Sequence, residues 1–418
     1  MLALNLLGIA LIALSALFPL RGRSNFAIAP LAFISAGLLI VMFQLIPLPP
    51  DIWAALPGRQ SIVAGFGALG STRPALPISE APYLTVTTLF AAIPALAAFL
   101  AVTSLRPGPR WIAAAVVAGA VISTLLGALQ VASGPGSWVY LYRITNTGAV
   151  GFFANHNHMA TLLLVAIPMS AVLAGSTRSG RNSIGKYGLA AALLLLLLGG
   201  IALNGSLAAI ALSIPVLLAS ASLLPVNVRW RRFTLPLAIL ALCGGVVLIA
   251  ENPIGTAGTD AGALTSIESR THIWKTTSYA IENSFPVGTG LGTFEQVYRQ
   301  YEDPGQVTPA YVNHAHNDYL ELALELGLPG LLLIAGFLVW WAVTTGKIWT
   351  SQLSTLPARA ATVATAAILA HSIVDFPLRT AAISAIFGAC LGMMNRHLGS
   401  NVEQRRGDLR PMRHVKLG

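Results

Sequence analysis

The sequence predicts an all-α polytopic membrane protein with about eleven transmembrane helices and a large, partly helical loop between the eighth and ninth. Three observations support this prediction. Of the 418 residues, 55% are hydrophobic and only 10% are charged, whereas soluble domains carry about 25% charged residues. Long apolar runs recur along the chain, and crossing the hydrocarbon core takes roughly 20 mostly apolar residues. Finally, the lysines and arginines concentrate in alternate loops.

The apolar segments divide the chain into four parts: an N-terminal bundle of about eight spans (1–250), a loop subdomain (251–319), about three C-terminal spans (320–397) and a basic tail (398–418). The first span has no basic residues before it and no cleavage site after it, so we expect it to be retained. The spans are predicted near 2–20, 26–46, 84–104, 111–133, 157–174, 187–203, 206–224, 233–250, 320–345, 358–375 and 380–396.

The distribution of charge predicts the orientation. Most of the 25 lysines and arginines fall in one set of alternate loops, which the positive-inside rule places in the cytoplasm. The N-terminus is then external and the C-terminus cytoplasmic. The net charge of +10 therefore comes mainly from basic residues in the predicted cytoplasmic loops and in the C-terminal tail, which can lie on anionic lipid. It does not indicate nucleic-acid binding. Cys243 and Cys390 both lie in predicted spans, which indicates packing and no disulfide or metal site.

The loop 251–319 leads into the sequence HAHNDYLELALELGLPG, residues 314–330. If the segment enters a helix, four ionisable side chains fall on one face. These are His314, Asp318, Glu321 and Glu325.

Helix capping is one explanation for this segment, because Asn317 or Asp318 would cap a helix that begins here. Capping explains neither the two histidines nor the acids that continue toward the span. Ionisable groups at membrane depth are costly and usually line a functional cavity. His316, with carboxylates nearby, is therefore a candidate general base.

Arginine is suited to bidentate contact with phosphate, so the cations of the external face are candidate ligands for an anion. Taken individually, each of them is more often an ordinary interfacial or salt-bridged residue. Arg270, Arg143 and Arg379 occupy the most unusual contexts. His371 and Asp375, four residues apart, are predicted to share a helix face, and a purely structural pair is an equal possibility. The external cations besides histidine are Arg59, Arg73, Arg143, Arg270, Lys275, Arg299 and Arg379.

Several catalytic motifs are missing from the sequence. It has no phosphate-binding Walker loop, no dinucleotide fingerprint, no H-E-x-x-H, no G-x-S-x-G and no Asp-x-Asp pair that would hold a metal on a nucleotide sugar. These absences argue against a metal-dependent or nucleotide-dependent reaction. If the protein acts on a phosphate-bearing substrate at the external face, we therefore expect a lipid-linked donor.

The spacing of His316–Asn317, nine residues, and Gly327–Leu328–Pro329–Gly330 resembles the signature of the O-antigen ligase and polymerase superfamily of bacterial envelope glycosyltransferases. Four other segments also resemble that family, and the resemblance covers most of residues 40–395. The ligase form of the signature continues with a threonine-like residue and tyrosine, where this chain has Leu331–Leu332. The four segments are 44–53, 146–163, 269–294 and 371–382.

The resemblance implies a multi-pass inner-membrane enzyme with its active site facing the periplasm. It would transfer a glycan from undecaprenyl diphosphate to a hydroxyl of lipid A-core, as a ligase, or of a second lipid-linked glycan, as a polymerase of O-antigen or exopolysaccharide. No metal or cofactor is implied, and a single displacement would invert the anomeric configuration. Protein O-glycosylation within the same family and lipid-glycan transport remain alternatives, although the nearly charge-free span centres argue against a transporter.

The resemblance also implies roles for individual residues. His316 would be the base, supported by His314, Asp318 and Glu321. The diphosphate would be held by arginines, and amides near the start of the fifth span would orient the donor. The substrate-binding candidates are Arg270 and Arg143, then Arg299 and Arg379, together with Asn155, Asn157, His158 and Asn317.

Overall fold

The computed structural model describes residues 2–18, 25–146, 148–175, 183–223, 240, 260–306, 312–352 and 354–408. Within these ranges the chain is built mainly of helices, and an isolated β-bridge joins Leu48 to Leu76. Short 3-10 turns cover Pro304–Gln306 and Pro377–Arg379. The helices are α1 (Leu2–Ala16), α2 (Asn25–Gln44), α3 (Pro50–Ala54), α4 (Gln60–Ala68), α5 (Pro82–Ala91), α6 (Ile93–Ser104), α7 (Pro109–Ser133), α8 (His156–Gly175), α9 (Ser183–Asn204), α10 (Leu207–Ala221), α11 (Asp260–Ser284), α12 (Phe294–Tyr301), α13 (Asp318–Thr350), α14 (Leu356–His371) and α15 (Ala381–Asp408).

An all-helical membrane protein is confirmed by this arrangement. Every predicted span coincides with a helix except 233–250, which lies outside the described residues apart from position 240. Among the described residues, four helical segments are long and apolar enough to cross a membrane: the α5–α6 unit, α7, α8 and α13. The other apolar helices are shorter, so the count of eleven stays a prediction. α15 continues as one helix to Asp408, past the predicted end of its span at 396.

The bundle is organised around α8, which is buried along Asn157–Val172. Helices α7, α9, α10 and α14 pack against it, and α15 joins α14 to α6. α9 and α10 are separated only by Gly205 and Ser206, but each packs mainly on α8 and little on the other. α14 presents many alanines to this core, and small residues allow close helix approach where hydrophobicity alone does not drive association.

The described part of the predicted loop subdomain includes the helices α11 and α12. Ile273, Phe294, Tyr298, Ala315 and Leu324 belong to a second buried apolar cluster, which joins these helices to the start of α13. The indole N–H of Trp274 on α11 also donates to the Ala315 carbonyl at 2.9 Å. The histidine segment is thus fixed between the loop helices and the bundle.

A kink in α13 lies at Gly327, whose backbone has φ 60° and ψ −146°. The kink leaves the carbonyls of Leu324 and Glu325 free to accept from the N–H groups of Thr289 (3.1 Å) and Gly290 (2.9 Å). The Glu325 carbonyl also accepts from the side-chain amide of Gln44 at 2.8 Å. The segment after α11 therefore docks on α13 through backbone hydrogen bonds at the kink. A straight helix would have used the Leu324 carbonyl internally, whereas Pro329 has no N–H to offer the Glu325 carbonyl.

Glycine is needed on both sides of this contact. A Cβ at Gly327 would meet the carbonyl oxygen of Pro286, and a Cβ at Gly288 would lie 2.6 Å from the Gly327 nitrogen. At Gly330 a Cβ would collide with Leu326. The glycines of the sequence signature are thus explained by close backbone approach, and they hold the histidine-bearing end of α13 against the loop.

Candidate functional site

The residues directly before α13 form an N-terminal cap with an unusual backbone conformation. Asn317 has extended backbone and its side-chain oxygen accepts from the N–H groups of Tyr319 and Leu320, both at 3.0 Å. This confirms the predicted capping and assigns it to Asn317. His316 has φ 50°, a left-handed conformation that is uncommon for residues other than glycine. Strained backbone of this kind tends to cluster at functional sites.

His316 is paired with a carboxylate from a distant part of the chain. Its Nδ1 lies 3.0 Å from Oδ1 of Asp375, which is fully buried, whereas the His316 side chain is 26% exposed. Because a carboxylate only accepts, Nδ1 carries the proton in this bond and Nε2 keeps a lone pair.

His314 forms a second histidine–carboxylate pair. Its Nδ1 lies 2.8 Å from Oε1 of Glu321, and Oε2 of Glu321 accepts the N–H of Ala315 at 2.9 Å. The ring of Phe376 lies 4.1 Å from the His314 ring and 5.0 Å from the His316 ring, centroid to centroid. The two imidazoles therefore flank one aromatic side chain, and each has its own carboxylate.

The predicted acidic face of α13 is present, and Arg379 is its partner. The Arg379 guanidinium lies 2.7 Å from Glu325, 3.4 Å from Glu321 and 3.9 Å from Asp318. Asp318 also accepts from the hydroxyl of Ser372 at 2.8 Å. All three acids are buried. Arg379 was a candidate phosphate ligand, but in the structure it is surrounded by three carboxylates that would repel a phosphate.

Two further histidines, His158 and His371, lie near Asp375. His158 Nδ1 is 2.8 Å from the Thr380 hydroxyl, and its Nε2 is 3.6 Å from Oδ2 of Asp375. The predicted pairing of His371 with Asp375 on one helix face is wrong: α14 ends at His371, and its Nδ1 bonds the Thr161 hydroxyl at 2.8 Å. The chain turns after His371, which directs Asp375 to His316 and His158 instead.

Several polar atoms around Asp375 have no hydrogen-bond partner among the described residues. They are Nε2 of His156, His158 and His371 and Oδ2 of Asp375. Buried polar atoms are nearly always satisfied in native proteins, so this cluster has capacity for water or substrate. Within the described part of the chain, no group of three or more His, Cys, Asp or Glu is arranged to hold a metal ion.

Arg270 lies on α11 and is 7% exposed. Burial lowers the pKa of its guanidinium, and the negative charge of Asp375 acts in the opposite direction. Arg270 is also close enough to His156 and His371 to influence them electrostatically. The loop subdomain therefore supplies a buried cation to the cluster around Asp375, where the sequence predicted a phosphate ligand.

The remaining substrate-binding candidates occupy other environments. Asn155 accepts the N–H of Asn157 at 2.8 Å, and Asn157 accepts the hydroxyl of Ser206 at 2.8 Å, so both amide oxygens are used within the fold. Arg299 is exposed and pairs with Glu295 at 2.6 Å. Arg143 is exposed and lines an open pocket beside the start of α8.

Sequence reasoning did not place Asp375 in the site. An acid at the outer end of a span, within HSIVDFPLR, was the available signal, but its spacing from His371 indicated a local pair. Phe376, Thr380 and His156 were also missed, since nothing in their spacing connects them to residues 314–316.

A comparison with protein-family models finds a match over residues 191–335 to the family described as O-antigen ligase. No curated protein matches the chain. The matched range contains Arg270, His314, His316 and the acids of α13, while His158 and Asp375 lie outside it. Several apolar helices together with this match fit a multi-pass inner-membrane protein. The match over residues 191–335 supports the resemblance of this chain to the O-antigen ligase and polymerase superfamily.

Proposed function

We propose that this protein is a periplasmic-face glycosyltransferase that moves a glycan from undecaprenyl diphosphate to an acceptor hydroxyl during surface polysaccharide assembly. The observation that carries the proposal is the pairing of partly exposed His316 with buried Asp375, beside the buried cation Arg270. The family match supports an O-antigen ligase- or polymerase-type membrane enzyme. The N-terminus would face the periplasm and the C-terminus the cytoplasm.

His316 is the proposed general base. Its Nδ1 is held by Asp375 at 3.0 Å, so Nε2 is available to take the proton from the acceptor hydroxyl as that oxygen attacks the anomeric carbon. Asp375 fixes the tautomer and stabilises the imidazolium that forms. A positioned base contributes about 10²–10⁴-fold to rate. Direct attack on the donor would invert the anomeric configuration.

Arg270 is the proposed ligand of the leaving diphosphate. A guanidinium in a buried, water-poor site stabilises developing negative charge more strongly than one in water, and its planar fork suits phosphate oxygens. The Nε2 atoms of His156, His158 and His371, which have no hydrogen-bond partner among the described residues, are further proposed contacts for the donor. Diphosphate is a good leaving group, so the proposed reaction requires neither a metal nor a cofactor.

The other predicted residues are assigned to positioning. His314, Glu321 and Asp318 belong to the network around Arg379 and Phe376, which fixes the segment that carries His316. Asn317 caps α13 directly after His316. Asn155 and Asn157 order the start of α8, where His158 contacts Asp375.

A deletion strain of the native host, complemented with wild-type or His316→Ala protein, tests the proposal. Lipopolysaccharide and lipid-linked glycans would be separated on one gel. Long chains stranded on undecaprenyl diphosphate in the deletion strain indicate a ligase, and accumulation of single repeat units without long chains indicates a polymerase. Both glycan patterns unchanged by the deletion, or a wild-type pattern restored by His316→Ala, would contradict the proposal.

A further inference from the structure

The segment between α7 and α8 forms an open pocket of about 380 Å³. Tyr140, Tyr142, Arg143, Thr145 and Asn146 contribute to its wall. Cavities of roughly 300–1,000 Å³ are typical of small-molecule sites. None of the groups assigned above to the chemistry of transfer, His316, Asp375 or Arg270, lines this pocket.

The pocket wall is held in shape by the buried side chain of Gln130 on α7. Its amide nitrogen donates to the carbonyls of Val139 (3.2 Å) and Gly151 (3.0 Å), and its oxygen accepts from the N–H groups of Val150 (3.1 Å) and Gly151 (2.8 Å). The Tyr140 hydroxyl donates to the Gly148 carbonyl at 3.1 Å. A binding loop ordered in advance avoids part of the entropic cost of binding.

The chemistry of the wall fits a sugar. The rings of Tyr140 and Tyr142 offer apolar faces to the C–H face of a pyranose, while the side chains of Arg143, Thr145 and Asn146 offer donors and acceptors for hydroxyl groups. Arg143 is the one charged residue in the wall, and it makes no hydrogen bond or ion pair with the described residues. A diphosphate would be matched better by several buried cations than by one exposed arginine among neutral groups.

The pocket is connected to the catalytic cluster through the first turn of α8. Asn146 Oδ1 accepts the N–H of His156 at 3.1 Å and lies 3.0 Å from His156 Nδ1. Two residues further on, His158 lies 3.6 Å from Asp375, which bonds His316. These successive contacts relate the pocket wall to His316, so a glycan that extends from the reacting sugar is a suitable ligand for the wall.

We propose that this pocket is a saccharide subsite that binds a sugar unit of the glycan substrate, with Arg143 and Tyr142 as its recognition residues. The inference rests on the proposed function, because it takes the substrate to be a glycan. The glycan in the pocket belongs either to the donor or to the acceptor, and the two share the same chemistry. Arg143 thus recognises sugar hydroxyls, whereas Arg270 is left to hold the diphosphate.

The test measures saccharide binding to full-length protein in lipid nanodiscs by saturation-transfer NMR. One probe is the saccharide released by mild acid from the native host's lipid-linked glycans, and the other is the core oligosaccharide of its lipopolysaccharide. Tyr142→Ala and Arg143→Ala change exposed side chains, so folding should be unaffected. Arg73→Ala, an exposed arginine outside the pocket, is the matched control.

We expect each pocket variant to weaken binding of one saccharide about tenfold, equivalent to about 1.4 kcal/mol, and Arg73→Ala to leave it unchanged. Weakened binding of the core oligosaccharide assigns the pocket to the lipid A-core acceptor of a ligase. Weakened binding of the lipid-derived saccharide assigns it to the lipid-linked glycan, which is the donor of a ligase and supplies both substrates of a polymerase. Unchanged binding of both in the pocket variants, or no binding to wild type, overturns the inference. The assay requires no turnover, so His316→Ala should bind like wild type, and a failure of the proposed base would leave this result standing.

Discussion

His316 Nδ1 lies 3.0 Å from Oδ1 of Asp375 although the two residues are 59 positions apart in the chain. The contact exists because the start of α13 is attached to the end of α14. The Asp318 N–H donates to the Ser372 carbonyl at 2.9 Å, and the Tyr319 hydroxyl donates to the Leu369 carbonyl at 2.7 Å. These bonds place the histidine segment directly over the turn that carries Asp375.

The two histidine–carboxylate pairs should differ in their importance. Glu321 is shared between His314, Arg379 and a backbone N–H, whereas the side-chain contacts of Asp375 are to histidines. We expect His316→Ala to lower glycan transfer by about 10²–10⁴-fold and His314→Ala to lower it less. Transfer of a labelled glycan by purified protein in nanodiscs measures both. A greater loss in His314→Ala would reverse the assignment of the base.

Asp375→Asn keeps the size of the side chain but removes its charge. We expect the turnover number to fall by about 10²–10⁴-fold, since an amide can stabilise the wrong imidazole tautomer. The Michaelis constant for the donor should change little, because Asp375 acts through His316. Kinetics over a range of donor concentrations separate the two effects. A raised Michaelis constant with an unchanged turnover number would instead make Asp375 part of the donor site.

Arg270→Lys retains a positive charge but loses the planar fork, which is not a conservative change at a phosphate site. We expect the Michaelis constant for the lipid-linked donor to rise by about tenfold, which corresponds to 1.4 kcal/mol. Arg299→Lys, at an exposed arginine paired with Glu295, is the control and should be neutral. If Arg270→Lys and Arg299→Lys change the Michaelis constant equally, Arg270 does not bind the diphosphate.

Arg379→Ala would leave Asp318, Glu321 and Glu325 buried without their cation. Removing one partner of a buried ion pair costs about 3–5 kcal/mol, so we expect a marked loss of thermal stability, measured by the unfolding of protein in nanodiscs. Arg299→Ala breaks an exposed pair and should cost less than about 1 kcal/mol. A stable Arg379→Ala protein with impaired donor binding would support the original assignment of Arg379 to phosphate.

Gly327→Ala introduces a Cβ against the Pro286 carbonyl oxygen at a backbone conformation that favours glycine. We expect destabilisation of at least about 1–3 kcal/mol from backbone strain alone, measured as a lowered midpoint of thermal unfolding. Gly346→Ala on the same helix has no heavy atom within 4 Å of its added Cβ. It should be neutral or stabilise by about 0.5–1 kcal/mol. Similar midpoints for both variants would show that the docking of 286–290 on α13 contributes little.

The sequence by itself determined the membrane class, the approximate positions of the apolar helices and the segment that we propose carries the chemistry. Apolar length and the 3.6-residue period are local properties, so α13, its cap at Asn317 and its acidic face were predictable from residues 314–330. The spacing between His316 and the glycines at 327 and 330 resembles a family signature, and this resemblance selected His316 rather than His314 as the candidate base. The match over residues 191–335 bears out that resemblance.

Only the tertiary structure decided which charged groups meet. Arg379 joins the acids of α13, Asp375 joins His316 rather than His371, and Arg143 lies on a separate pocket wall. These pairings depend on where α14 ends and on how the loop 285–293 docks at the kink of Gly327. Such contacts join residues far apart in the chain, and their energies come from burial and from the loss of water, which no local spacing records.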